Sequence, residues 1–259
     1  RGARNMQILK ANAITKSFGG LTAVNNVDFH IDEGEIVGLI GPNGAGKTTF
    51  FNIITGVYEP TSGEVIFLDE AIHGLKPHEI ATKGISRTFQ NIRLFSSMTV
   101  FENILIGQYT RTEANLYNVI FKTKKAIEEQ ERAIEKTQNI IKFLELEEHQ
   151  NEIATSLPYG VQRKIEIGRA LATEPKLLLL DEPAAGMNTQ EKVEMQDLIR
   201  KIRDKGYTVL LIEHDMKLVM GISDRISVLD YGYKIAEGKP QEIQNNEKVI
   251  SAYLGKEVG

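Results

Sequence analysis

Eight consecutive residues, Gly41-Pro42-Asn43-Gly44-Ala45-Gly46-Lys47-Thr48, carry the spacing GxxxxGK[ST]. An Ile/Val-rich run at 35–40 precedes them and a predicted helix over 47–55 follows. That strand–loop–helix setting is what makes the motif a phosphate cradle. Glycine is needed because the loop must wrap closely round phosphate oxygens with its N–H groups turned inward, where a Cβ would obstruct the approach. The N-terminus of the following helix adds a dipole that favours anions. In such a loop Lys47 reaches the β- and γ-phosphates and Thr48 ligates Mg²⁺. Gly41, Pro42, Asn43, Gly44, Ala45, Gly46, Lys47, Thr48 and Thr49 are therefore the candidate residues of a nucleoside triphosphate site.

A second group of chemically apt residues lies far along the chain. Leu177-Leu178-Leu179-Leu180 is a continuous apolar run, as a central parallel strand covered on both faces requires. It ends in Asp181-Glu182, at the carboxyl edge where ligands gather in open α/β sheets. Asp181 is placed to hold Mg²⁺ as a Walker B carboxylate, and Glu182 to orient and deprotonate an attacking water. A buried strand ending in two surface acids would by itself mean little; beside the glycine loop it points to hydrolysis.

The elements that must position these groups follow from the patterning. The chain has 259 residues, room for one large domain or two modest ones with a buried core. Short strands are predicted at 8–13, 27–31 and 65–67, separated by Gly19-Gly20, Asp32-Glu33-Gly34 and Thr61-Ser62-Gly63. From about 99 to 172 the chain turns helical. A βαβ style then returns, with strands at 177–180, 208–212 and 225–229, a helix near 190–205 and a shorter one after Asp215. This predicts an α/β fold in which a helical block interrupts a parallel-sheet core. Within the block, 126–146 is the clearest helix. Ile127, Ile134 and Ile141 recur every seven residues, as do Ala126, Ala133 and Ile140, so the helix has one narrow seam, for internal packing or for a partner.

Composition removes several classes. There is no cysteine, which excludes disulfide scaffolds, thiol catalysis and cysteine metal sites. Thirty-one basic against thirty-five acidic side chains leave a net charge of −4, so no positive field advertises nucleic acid as a partner. No apolar stretch approaches the ~20 residues that cross a bilayer. Met6 reads as a natural start, with Arg1 to Asn5 a remnant ahead of it and no signal peptide.

The glycine loop, Phe89-Gln90-Asn91, Leu157-Pro158-Tyr159-Gly160-Val161-Gln162, Asp181-Glu182 and Ile212-Glu213-His214-Asp215 occur in the order of the ATP-binding cassette proteins, and the whole chain resembles that family. Arg87-Thr88-Phe89-Gln90, Ile165 to Leu171, Ala184 to Asn188 and Ala252-Tyr253-Leu254-Gly255 are more particularly similar to ATPase subunits of branched-chain amino-acid importers. The resemblance implies a P-loop NTPase (RecA-like) core at 1–90 and 166–259 with an antiparallel β subdomain, and an inserted helical subdomain at 91–165. It implies ATP and Mg²⁺, with Gln90 sensing the metal and attacking water, His214 contacting the γ-phosphate, and Tyr159 and Gly160 facing nucleotide held by another subunit. Phe18 falls at the adenine-stacking position, or else packs within the β subdomain.

As partners the family implies a second cassette, two transmembrane permeases and, indirectly, a substrate-binding protein. The subunit would then lie peripherally on the cytoplasmic face of the inner membrane, powering uptake of branched-chain or other hydrophobic amino acids. Leu94 and Phe95 are the candidate permease contacts, whereas Val100 and Phe101 read as core. A soluble ATPase of the same family, acting on nucleic acid or ribosomes, is the alternative, and a P-loop small-molecule kinase a third class. The usual signature is LSGGQ; here Pro158, Tyr159 and Val161 depart from it, and proline removes a hydroxyl and a backbone donor. The site completed by this signature is therefore expected to hold ATP weakly, with a different cassette supplying the better one.

Overall fold

The strands Ile36–Ile40 and Leu177–Asp181, the second four leucines and a closing aspartate, have no exposed position, because both faces of the sheet they join are covered. The computed structural model of the protein describes residues 6–109 and 124–254; Arg1 to Asn5 and Gly255, noted above, lie outside the described residues. Its contacts divide the chain into two units, Arg1–Ile85 with Leu177–Gly259, and Ser86–Lys176.

The first unit begins with two long antiparallel strands, β1 (Gln7–Phe18) and β2 (Leu21–Asp32). They exceed the short predicted strands because bulges at Ala13 and Asn26 break the alternation read from the sequence. Side chains satisfy the displaced backbone there: Ala13 N–H donates to Asp28 Oδ1 at 2.7 Å, and Asn26 N–H to Thr15 Oγ1 at 3.0 Å. β3 (Ile36–Ile40) leads through the glycine loop into α1 (Lys47–Ile54), followed by β4 (Ser62–Phe67), β5 (Glu70–Ala71), α2 (Pro77–Lys83) and β6 (Ile85–Arg87). The second unit intervenes with α3 (Val100–Gln108), α4 (Lys124–Phe143) and α5 (Tyr159–Ala172). The first resumes with β7 (Leu177–Asp181), α6 (Thr189–Asp204), β8 (Thr208–Ile212), α7 (Met216–Ile222), β9 (Arg225–Asp230), β10 (Tyr233–Gly238), α8 (Pro240–Gln244) and α9 (Glu247–Leu254).

Two sheets result: an antiparallel one in the order β2-β1-β4-β5, and a mainly parallel one in the order β10-β9-β3-β8-β7-β6. One apolar core joins them, with Phe50 and Phe51 of α1 buried among Phe29, Leu39, Leu179 and Leu210. Phe29 and Phe50 meet edge to face at 5.2 Å between ring centres. The register sets the chemistry: Leu39 of β3 and Asp181 of β7 both pair with Ile212 of β8. The glycine loop and the two acids therefore leave the same sheet edge two strand spacings apart, roughly 10 Å.

In the second unit, α4 stops at Phe143 rather than Leu146. Glu145 turns left-handed, φ 59°, and Leu146 N–H donates to the Ile141 carbonyl at 3.0 Å, a helix-terminating return. Its seam sinks inward along its length: Ile127 is exposed, Ile134 half-buried, and Thr137 and Ile141 fully enclosed.

Candidate nucleotide site

The loop after β3 is a cradle with two positions that only glycine fits. A Cβ on Gly41 would overlap the Leu229 carbonyl oxygen, and one on Gly46, at φ 100°, the Ala23 carbonyl oxygen. The loop is braced from outside: Gly232 N–H, in the β9–β10 turn, donates to the Ala45 carbonyl at 3.0 Å, and the Gly232 carbonyl accepts from Asn25 N–H at 2.8 Å. The Tyr253 hydroxyl of α9 bonds the Gly41 backbone, and burial pushes this phenol up to about 12, so it stays neutral in ordinary buffers. Lys47 is buried, its Nζ donating to the Gly41 and Pro42 carbonyls at 2.7 and 3.0 Å. Asn43, Gly44 and Thr48 lie exposed on the rim, with Thr49 half-buried behind them.

Gly41→Ala is expected to weaken ATP binding at least tenfold and to destabilise the fold by about 1–3 kcal/mol. Gly44→Ala meets no atom within 4 Å and carries only the strain of φ 79°, about 1 kcal/mol. Nucleotide titration with thermal melting of both variants checks the contrast, and equal effects would remove the close-packing explanation.

Asp181 is buried at the end of β7. Glu182 follows in the left-handed region, φ 48°, and its N–H donates to the Ile212 carbonyl at 2.9 Å. That backbone turn brings Glu182 Oε1 to 2.7 Å from His214 Nε2. Glu213, between β8 and His214, is buried, and burial raises its carboxyl above the usual range against the pull of three backbone N–H groups, with Glu182 adding to the rise. Asp215 caps α7 through Leu218 N–H at 3.1 Å. Its hydrogen bond to Lys192, 2.7 Å, holds its carboxyl below the usual range.

Phe18 is exposed rather than core; its ring meets Tyr58 edge to face at 5.2 Å, with Lys16 Nζ 5.1 Å from its centre. The first unit thus brings together the glycine loop, Asp181, Glu182 and His214 at one sheet edge. Its hydroxyl and carboxylate donors, Thr48 and Asp181, are of the hard oxygen type that suits Mg²⁺, and its glycine backbone suits a polyphosphate.

Gln90, Tyr159 and Gly160 belong to the second unit. The Gln90 and Tyr159 side chains are exposed, and Pro158 precedes the first residue of α5 with no side-chain cap. Arg163 ties this region together: fully buried, it donates to the Phe89 carbonyl at 2.6 Å, the Gln90 carbonyl at 2.8 Å, Glu166 Oε2 at 2.8 Å and the Tyr159 hydroxyl at 3.0 Å. Beside it lies a cavity of about 420 Å³ whose lining includes Phe89, Arg93, Leu94, Phe95, Ile106 and Arg169. Val100 is fully buried and Phe101 half-buried, while Phe95 is exposed. Sequence reasoning passed over Arg163, gave Glu213 no role of its own within Ile212-Glu213-His214-Asp215, and passed over Gly232 and Tyr58. An Arg–Glu pair three apart on a helix was the available signal for the first, and an acid directly after an apolar strand for the second.

A phosphate cradle, two acids at the neighbouring strand end and a histidine on the acid define a P-loop nucleotide hydrolase of the α/β class. The chain belongs to the ABC transporter family, which it matches over residues 24–185, and it is an ATP-binding subunit with ATPase chemistry. Residues 234–259 match the family described as branched-chain amino acid ATP-binding cassette transporter. It is 48% identical to the high-affinity branched-chain amino acid transport ATP-binding protein LivG of Escherichia coli K12, over 96% of this chain and 98% of that one. An ATP-binding cassette of an ABC transporter in its ADP conformation superposes with a TM-score of 0.84 at 33% identity, covering 97% of this chain and all of that one. A dimeric cassette in a post-hydrolysis state, bound to ADP and phosphate, gives 0.74 at 27%, over 90% and 98%.

Proposed function

We propose that this chain hydrolyses ATP to drive uptake of branched-chain or other hydrophobic amino acids through separate permease subunits. The observation that carries the hydrolytic part is the 2.7 Å contact between Glu182 and His214 at the edge where the glycine loop opens. The cargo reading draws its support from the kinship with LivG and from the C-terminal match at 234–259.

In this reading the amides of residues 41–48 and Lys47 hold the triphosphate, and Phe18, flanked by Tyr58, stacks on adenine. Thr48, Asp181 and Gln90 would hold Mg²⁺, which would supply positive charge to the triphosphate. Glu182 accepts the proton of the attacking water as the oxygen bonds the γ-phosphorus and the bridge to ADP breaks. His214, oriented by Glu182, donates to the γ-phosphate oxygens as charge gathers there.

No helix among the described residues is long and apolar enough to span a membrane; in this reading separate permease subunits supply the transport path. The cavity beside Leu94 and Phe95 offers apolar walls with guanidinium groups, a seat for a cytoplasmic segment of a permease. The subunit then sits peripherally on the cytoplasmic face, beneath a substrate-binding protein that works from the far side. Two cassettes close head to tail, each ATP held between one glycine loop and the other subunit's Tyr159-Gly160 signature. Pro158 leaves that signature short of a hydroxyl and an amide donor, so a different cassette supplies the better half.

Co-expression with candidate permeases and a second cassette, followed by reconstitution, tests this: ATP-dependent leucine uptake is expected, with higher ATPase rates from the mixed cassette dimer than from the homodimer. Equal rates would overturn the asymmetry, and co-purification with ribosomes instead of membrane proteins would overturn the transport reading.

A further inference from the structure

Glu213 is an acid buried to 4% exposure, in a position where an apolar residue would cost nothing in desolvation. Its two oxygens serve different loops. Oε1 accepts the Ala184 N–H at 2.9 Å, in the turn that follows Glu182. Oε2 accepts the His214 N–H at 3.1 Å and, at the 3.5 Å limit, that of Asp215. We infer that Glu213 is a positioning residue: one carboxylate clamps the loop after β7 to the loop after β8, fixing Glu182 against His214.

The clamp answers a specific need. Glu182 occupies a left-handed backbone conformation, φ 48°, that is strained for a side-chain-bearing residue. Such strain persists only where surrounding contacts over-determine it. The Glu182 N–H bond to Ile212 fixes one side of the turn, and Glu213 fixes the other at Ala184. Loss of either would let the turn relax and move the carboxylate away from the imidazole. Displacements on the order of 1 Å cost about 10²-fold in rate when they occur at reacting groups.

The groups facing Glu213 comprise the three backbone N–H donors and, across the site, the Glu182 carboxylate, which opposes its charge. An amide in place of the carboxylate keeps the volume but offers a single acceptor oxygen, so only one of the two loops stays held.

The inference rests on Glu182 and His214 being the hydrolytic pair, and the experiment separates the two ideas. In the full-length chain, steady-state ATPase and ATP binding are measured for Glu213→Gln, His214→Ala, Glu182→Gln and the Glu213→Gln/His214→Ala double variant. Expected is a kcat about tenfold lower for Glu213→Gln with KM for ATP changed less than threefold. Its effect should shrink, without vanishing, when His214 is already absent, because the imidazole no longer needs placing while the Glu182 carboxylate still does. Glu213→Asp, which keeps both acceptors on a shorter stem, should recover part of the rate. A wild-type kcat in Glu213→Gln, or equal costs with and without His214, would overturn the clamp. A wild-type kcat in Glu182→Gln would instead overturn the assignment of the pair itself.

Discussion

Glu182→Gln lowers ATP turnover by roughly 10²–10⁴-fold, the range that general-base assistance contributes, equivalent to about 3–5 kcal/mol of barrier. Binding of nucleotide survives, because the cradle is made of backbone amides and Lys47, none of which the substitution touches. An amide still meets His214 Nε2 at the Glu182 position, so the fold is undisturbed, but it cannot take the proton of water. The variant should therefore accumulate uncleaved ATP, visible in a single-turnover assay as retained triphosphate with unchanged affinity. Turnover within threefold of wild type would show that another group takes the proton.

Arg163→Met is expected to cause a large loss of stability in the second unit. Arg163 and Glu166 are an ion pair with side-chain exposures of 0% and 2%. Removing one member leaves the other charge buried without compensation, which costs about 3–5 kcal/mol. The Phe89 and Gln90 carbonyls and the Tyr159 hydroxyl lose their donor in the same step. The melting temperature should fall on the order of 10 °C. The double variant Arg163→Met/Glu166→Met should regain much of the loss, since two apolar side chains of similar volume replace the pair without stranding a charge. Lysine at 163 is not equivalent: a point charge cannot span four acceptors that the planar guanidinium reaches at once. An unchanged melting curve for Arg163→Met, or a double variant worse than the single one, would contradict this account. Functionally, the folded lysine variant should disturb the Gln90 segment and Tyr159 together, as one donor fixes both.

Much of the site was legible from residue types alone. The glycine loop needs no long-range information, because a tight phosphate-binding turn is a local property of Gly41 to Thr48 between a strand and a helix. The leucine run before Asp181 likewise declares a doubly covered strand, and the segments at 208–212 and 225–229, which join the same sheet, also read as strands. The bulged strands β1 and β2 were harder, since Ala13 and Asn26 shift the alternation that marks a half-buried strand. The end of α4 was misplaced for a related reason: the apolar seam continues to Leu146, but a left-handed Glu145 turns the chain first.

Sequence by itself determined the chemistry available: a phosphate cradle, two acids, a histidine and a glutamine in one family's order, in a chain without cysteine. Tertiary structure decided what holds that chemistry in place. Glu213 serves two loops across 29 residues, Gly232 braces the cradle from the far end of the chain, and Arg163 joins Gln90 to Tyr159 across 73 and 4 residues. Such groups are invisible to periodicity because a buried polar group is stable only where folding supplies its partners, and many of those partners are backbone atoms that carry no mark in the sequence.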